Sequence, residues 1–166
     1  MLSACVKKQD FGQYDDLQIT PSYESSILYI EAPESEINAH NGADFISQIF
    51  NFDAFAEPVF ADRVIDGVMT YEISNTTSKP AQLTFEFLDA ADAVLDTEVF
   101  MIDPAPTSLL NRQTAYGNAG RSIAIITNTS SIRISAVNLG DTSSVSSLPN
   151  AMITFKSAAK FRIRIK

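Results

Sequence analysis

The sequence predicts an all-β protein, a single antiparallel sandwich with at most one short helix, and three observations carry that reading. Apolar and polar residues alternate with a period of two in stretch after stretch, which is the spacing of strands with one buried face. Short segments rich in Pro, Asn, Asp, Ser and Thr, the residues that favour turns, separate those stretches. The chain of 166 residues is long enough for one well-buried domain, and its longest apolar runs (27 to 30, 99 to 102 and 123 to 126) are four residues each. A membrane-crossing helix needs about 20 such residues.

The sandwich is expected over residues 16–166, preceded by a polar, flexible tether at 5–15. Early strand candidates are 16–20, 26–31 and 47–55. Met69, Tyr71 and Ile73 then alternate with Thr70, Glu72 and Ser74, and the turn-forming run from Asn75 to Pro80 follows. Leu83, Phe85 and Phe87 alternate with Gln82, Thr84 and Glu86. After the turn from Asp89 to Asp92, Leu95, Thr97, Val99 and Met101 are expected to face the core, away from Asp96 and Glu98. Three strands on short turns read as an antiparallel meander. Further strands are expected at 108–115 and 131–138, with the one helix at 119–128 behind Asn118 as its cap. Gly140 to Pro149 reads as a loop. The clearest strand is 153–165, where Ile153, Phe155, Ser157, Ala159, Phe161, Ile163 and Ile165 share one face.

Charge is divided unevenly along the chain. Residues 1–103 hold nineteen acids and four bases, and residues 104–166 hold one acid and eight bases, so a net of −15 precedes a net of +7. The acidic part repels phosphate, which argues against a nucleic-acid partner. The basic strip Lys156, Lys160, Arg162, Arg164 and Lys166 falls on one face of the last strand. It either meets acids such as Glu72, Glu86 or Glu98 on neighbouring strands or takes an anionic ligand, a lipid headgroup or a polysaccharide. The charge split favours the paired form.

Few residues bear chemistry. One Cys and one His rule out a disulfide, a Cys/His zinc site or a Cys redox pair within the chain. His40 lies in a polar turn, and no Gly-x-Ser-x-Gly elbow or phosphate-cradling glycine loop occurs. Asp89 and Asp92 flank a tight turn without the spacing of a calcium loop. No enzyme, cofactor or metal is expected. Phe45, Phe50, Phe52, Phe55 and Phe60 form the most aromatic stretch; core packing accounts for such a cluster first, and any exposed rings beside Tyr residues would form a platform for a sugar or a protein.

Two resemblances add to this. Leu2-Ser3-Ala4-Cys5 resembles the lipobox of bacterial lipoproteins, in which the Cys is lipid-modified and becomes the mature N-terminus. The resemblance implies that residues 1–4 are the remnant of a signal whose basic and apolar parts would be encoded upstream of Leu2. It also implies a lipid anchor on Cys5 and an address on the bacterial envelope, at the outer membrane or cell surface. Gly67, Asn75 and Phe85-Glu86-Phe87-Leu88-Asp89 resemble the FxLYD-type immunoglobulin-like modules of envelope proteins, with Leu88 where Tyr is usual. That likeness covers about forty residues and implies an immunoglobulin-like sandwich that binds or scaffolds. The expected function is therefore a non-enzymatic envelope lipoprotein acting as a binding or adhesion module, its partner an envelope protein or a polysaccharide. The alternative is a structural subunit that assembles by strand exchange or edge pairing, as in pilus-like fibres. The place of the C-terminal strand, central or at an edge, discriminates between them.

Overall fold

The computed structural model describes residues 18–40, 43–55, 58–106, 109–118 and 120–165, so Cys5, the tether and Lys166 lie outside the described residues. Eight strands are present among them: β1 (Ser22–Pro33), β2 (Asp44–Asn51), β3 (Val64–Asn75), β4 (Ala81–Leu88), β5 (Val94–Ile102), β6 (Leu110–Tyr116), β7 (Ser131–Asn138) and β8 (Met152–Ile163). They form two four-stranded sheets in the orders β1-β8-β3-β6 and β2-β7-β4-β5, and every pairing is antiparallel. The sandwich is thus of the expected class, and its strands are connected as a jelly roll.

In this topology successive strands mostly change sheet. Only β4 and β5 are consecutive and paired, so they form a hairpin, while β3 belongs to the opposite sheet and the expected three-strand meander is divided. The crossing after β3 is fixed by Asn75, whose buried amide donates to the carbonyls of Lys79 (2.8 Å) and Asp103 (2.9 Å). The sequence shows a turn there, but which sheet the chain enters depends on these distant partners. β8 is central, bonded to β1 on one side and β3 on the other.

Alternation builds the core. Met69, Tyr71 and Ile73 of β3, Leu83, Phe85 and Phe87 of β4, Ile132 and Ile134 of β7, and Ile153 and Phe155 of β8 are all buried. Tyr71 meets Phe85 edge-on at 5.2 Å between centroids, and Phe85 meets Phe87 edge-on at 5.1 Å. Each such ring taken from water contributes about 1.5–3 kcal/mol.

β5 departs from the expected facing. Glu98, Phe100 and Ile102 point inward and are buried, while Val99 and Met101 are 43% and 59% exposed. Phe100 completes the aromatic core, 5.2 Å from Tyr71. Turning the strand this way buries Glu98, and cationic partners described below make that tolerable.

Helices are short: α1 (Glu34–Ala39), α2 (Pro58–Ala61) and α3 (Ile123–Thr127). The helix expected within 119–128 is α3, and its cap is Ser122, whose hydroxyl accepts from the Ala124 N–H at 3.3 Å. α1 begins behind Pro33 with no side-chain cap, and α2 is a single turn of four residues, so neither carries the start signal that marks α3.

The long loop after β7 is held by polar side chains. The Glu34 carboxylate, buried at the start of α1, accepts from the Ser78 N–H (2.6 Å), the Ser78 hydroxyl (2.7 Å) and the Ser146 N–H (2.8 Å). It thereby ties α1 to the β3–β4 and β7–β8 connections. Asp141 accepts from Ser143 and Ser144 and from the buried Lys79 ammonium at 2.9 Å.

Candidate functional site

The two sheets meet along two seams, and their chemistry differs. At the seam of β5 and β6, Glu98 of one sheet receives Arg112 of the other at 3.3 Å, Arg121 at 2.7 Å and the Thr114 hydroxyl at 2.8 Å. Arg121 also reaches Asp96 at 2.6 Å, and Asp96 accepts from the Tyr116 hydroxyl at 3.2 Å. The Arg112 guanidinium lies over the Phe100 ring at 4.4 Å. Desolvation works against the Arg121 cation, but the Asp96 hydrogen bond and the Glu98 charge outweigh it and raise its pKa. Burial, and then the Asp96 carboxylate, push the Tyr116 hydroxyl up. These acids are committed to cations and hydroxyls, which closes this seam.

Among the described residues the opposite side is open. A groove of about 720 Å³ runs between the first half of β1, the end of β8 and the segment that follows β2. Its floor is aromatic: Phe55 meets Phe161 edge-on at 4.9 Å and Phe52 at 6.3 Å, and both Phe52 and Phe55 are buried. Its rim is aromatic too, with Tyr23 54% and Phe60 52% exposed. The Phe161 ring lies directly against Gly67, its cross-strand partner, where an added Cβ would come within 2.3 Å of the ring. Gly67 is thus the residue that lets this wall of the groove sit where it does.

The strand bordering the groove is also unusual. β1 is the edge of its sheet, and all five residues from Ser22 to Ser26 are exposed. Tyr23 and Ser25 stand opposite the buried Phe161 and Ala159, so they face the interior side, yet nothing covers them there among the described residues. Further along, Ala32 is covered and buried. A bulge between Ser26 and Leu28 separates the two halves.

Of the basic strip, Lys156, Lys160 and Arg162 lie on the outer face of the β1-β8-β3-β6 sheet. Lys156 lies between Tyr29 and Glu72 in register, its ammonium 5.7 Å from the Tyr29 ring centroid. Lys160 lies between Glu24 and Val68. Arg162 forks onto Asp66, with Nε donating to Oδ1 at 2.7 Å and Nη2 paired with Oδ2. Arg164 follows the strand and donates its backbone N–H to the Arg63 carbonyl at 2.8 Å. Glu86 and Glu98 are not beside the strip; Glu86 pairs with Arg133 at 2.7 Å on the other sheet.

Other candidates resolve into local roles. His40 ends α1, with Nδ1 2.8 Å from the Glu36 carbonyl. Asp89 accepts from the Ala91 and Ala93 N–H groups at 2.8 and 2.9 Å and so closes its own turn. Of the aromatic stretch, the sequence shows the cluster but not which ring forms the rim. The sequence signal for this edge is Ser22 to Ser26, three serines and a glutamate around a single Tyr, directly before the apolar run Ile27 to Ile30.

No protein-family model matches the chain, and no curated protein sequence matches it. Among solved structures, it is similar to the infectious bursal disease virus VP2 subviral particle, with TM-score 0.44 and 9% identity over 87% of this chain. The chain spans 32% of that protein's length. It is also similar to turnip yellow mosaic virus (TM-score 0.39, 11% identity, 100% of this chain and 88% of that one). A third is a protein of Bacillus endospore appendages, a family of disulfide-linked pili (TM-score 0.37, 12% identity, 98% of each chain).

Proposed function

We propose that the protein is a non-enzymatic binding module of the bacterial cell envelope, lipid-anchored through Cys5, that holds an envelope protein in the groove beside β1. The carrying observation is the conjunction of an aromatic groove with an edge strand that nothing covers among the described residues, at the same place. An edge strand offers unpaired backbone groups, and an adjacent apolar trough offers seats for side chains, which together recognise polypeptide better than sugar. The lipobox-like Leu2-Ser3-Ala4-Cys5 supports the address.

The groove is tested by nuclear magnetic resonance on the labelled protein titrated with solubilised envelope extract. Shifts centred on Tyr23, Phe60 and Ile163 are expected; shifts confined to the outer face around Lys156 and Lys160 would move the site to the basic strip. The anchor is tested by Cys5→Ser expressed from the full reading frame. Transfer of the protein from the membrane fraction to the soluble fraction is expected, and unchanged fractionation would remove the anchor.

A second reading, a self-assembling structural subunit, draws on the same edge of β1, which no strand pairs among the described residues. Exchange of β8 is disfavoured, because removing a strand from between β1 and β3 breaks two ladders. Sedimentation over a hundredfold range of concentration separates the readings: a binding module keeps one small species, and a subunit grows.

A further inference from the structure

We infer that the groove accepts a short extended polypeptide as an added strand along Ser22–Ser26, one in which a Lys or Arg is flanked on both sides by large apolar residues. This rests on the groove being the binding site and specifies what fills it.

The facing of β1 sets the pattern. Tyr23 and Ser25 face the groove and Glu24 faces the outer surface, because their cross-strand partners are the buried Phe161 and Ala159 and the exposed Lys160. A strand added at this edge repeats that alternation: the residue opposite Glu24 faces outward, and its two neighbours point into the groove about 7 Å apart. One neighbour lies against the Tyr23 and Phe161 rings. The other enters over Ser25 and Ala159, two small side chains that leave the trough deep at that point, above the buried ring of Phe55. The bulge after Ser26 breaks the regular edge and limits the added strand to about five residues.

Charge selects the central residue. β1 contains Glu24 and Glu31 and no base, so a cation opposite Glu24 lies one strand away from a carboxylate and two strands from Lys160. Opposite charges directly across a pair of strands stabilise it, and like charges oppose it. The same count disfavours the β1 strand of a second copy in the two-fold register centred on this segment, since that sets Glu24 against Glu24.

The test uses three blocked pentapeptides: Thr-Phe-Lys-Phe-Thr, its isomer Phe-Phe-Thr-Lys-Thr, and Thr-Phe-Glu-Phe-Thr, with fluorescence anisotropy and resonance shifts as readouts. The first is expected to bind at least tenfold more tightly than either of the others, shifting Tyr23 and Phe60. N-methylating its amides one at a time should abolish binding at alternating positions only, the signature of strand pairing. Glu24→Lys, with its circular dichroism unchanged, should reverse the preference between the Lys and Glu peptides. Equal binding of the two isomers at the groove overturns the added strand while leaving the groove a binding site. If the envelope extract shifts groove resonances and no peptide does, the inference fails and the functional reading stands; if neither does, both fail. Concentration-dependent dimerisation that shifts β1 would make a second copy the occupant and overturn the proposal.

Discussion

The guanidinium of Arg121 stands 2.7 Å from the carboxylate of Glu98, whose side chain is 5% exposed, so a charge placed between the sheets is neutralised from a turn 23 positions away in the sequence. Arg121→Ala leaves that carboxylate with Arg112 and Thr114 but with less than its full complement of donors. A destabilisation of about 1–3 kcal/mol is expected, the range for under-satisfying a buried polar group. Glu98→Gln, which removes the charge and keeps the shape, should be milder. Urea unfolding midpoints at neutral pH measure both, and equal midpoints for Arg121→Ala and the parent would show that the seam does not depend on this contact.

Stability should fall in acid. Burial disfavours the ionised Glu34, but hydrogen bonds from Ser146 and Ser78 outweigh it and hold the carboxyl below its usual range. The Ser144 hydroxyl and N–H, then Lys79 and the Ser143 N–H, hold Asp141 well below that range. A carboxyl depressed in the folded state contributes stability that is full above its unfolded value of about 4 and is lost as pH falls through the folded value. Unfolding midpoints should therefore be level from pH 7 to about 5 and drop below about 4. Asp141→Asn should lower the midpoint at pH 7 and flatten the acid drop, because it leaves the buried Lys79 ammonium without its carboxylate. Lys79→Met, which removes the buried charge and keeps its bulk, should change stability by only about 1 kcal/mol. A profile that fell equally for Asp141→Asn and the parent would exclude this pair as a source of acid sensitivity.

Gly67→Ala drives a methyl group into the Phe161 ring, and overpacking of this kind costs about 1–3 kcal/mol. Because Phe161 forms one wall of the groove, the substitution should also weaken whatever binds there. Shrinking the ring in the double variant Gly67→Ala/Phe161→Leu should restore part of the lost melting temperature. An additive loss in the double variant would mean that the two residues do not oppose each other.

Reversal of Lys160 and Arg162 to Glu sets new acids beside Glu24 and Asp66. A lower melting temperature is expected, with no change in binding to anionic liposomes. Loss of liposome binding at unchanged melting temperature would make the strip a ligand site.

The parts of the fold legible in the sequence are those whose causes are local. β8 shows itself because each alternate residue from Ile153 to Phe161 is buried, and a period of two follows directly from the pleat. β5 is misread by the same rule, because Val99 and Met101 are as apolar as Phe100 and Ile102, and only Arg112 and Arg121 make the inward Glu98 acceptable. Likewise the crossing after β3 is decided by Asn75 bonding to Asp103, a partner that no local pattern announces. The groove was half visible: the aromatic stretch was plain, but Phe60 differs from Phe55 only through what the fold lays over each.

The central position of β8 also governs when this molecule can fold. β2, β7, β4 and β5 can form their complete sheet once residue 138 has been made, but β1 and β3 have no ladder between them until Met152 to Ile163 arrives to join them. Contacts that span most of the chain close slowly, and the exposed strands must wait for the last one. In a growing chain β1 therefore stays without a partner strand, and its sheet is reduced to the β3–β6 pair, until synthesis has passed β8.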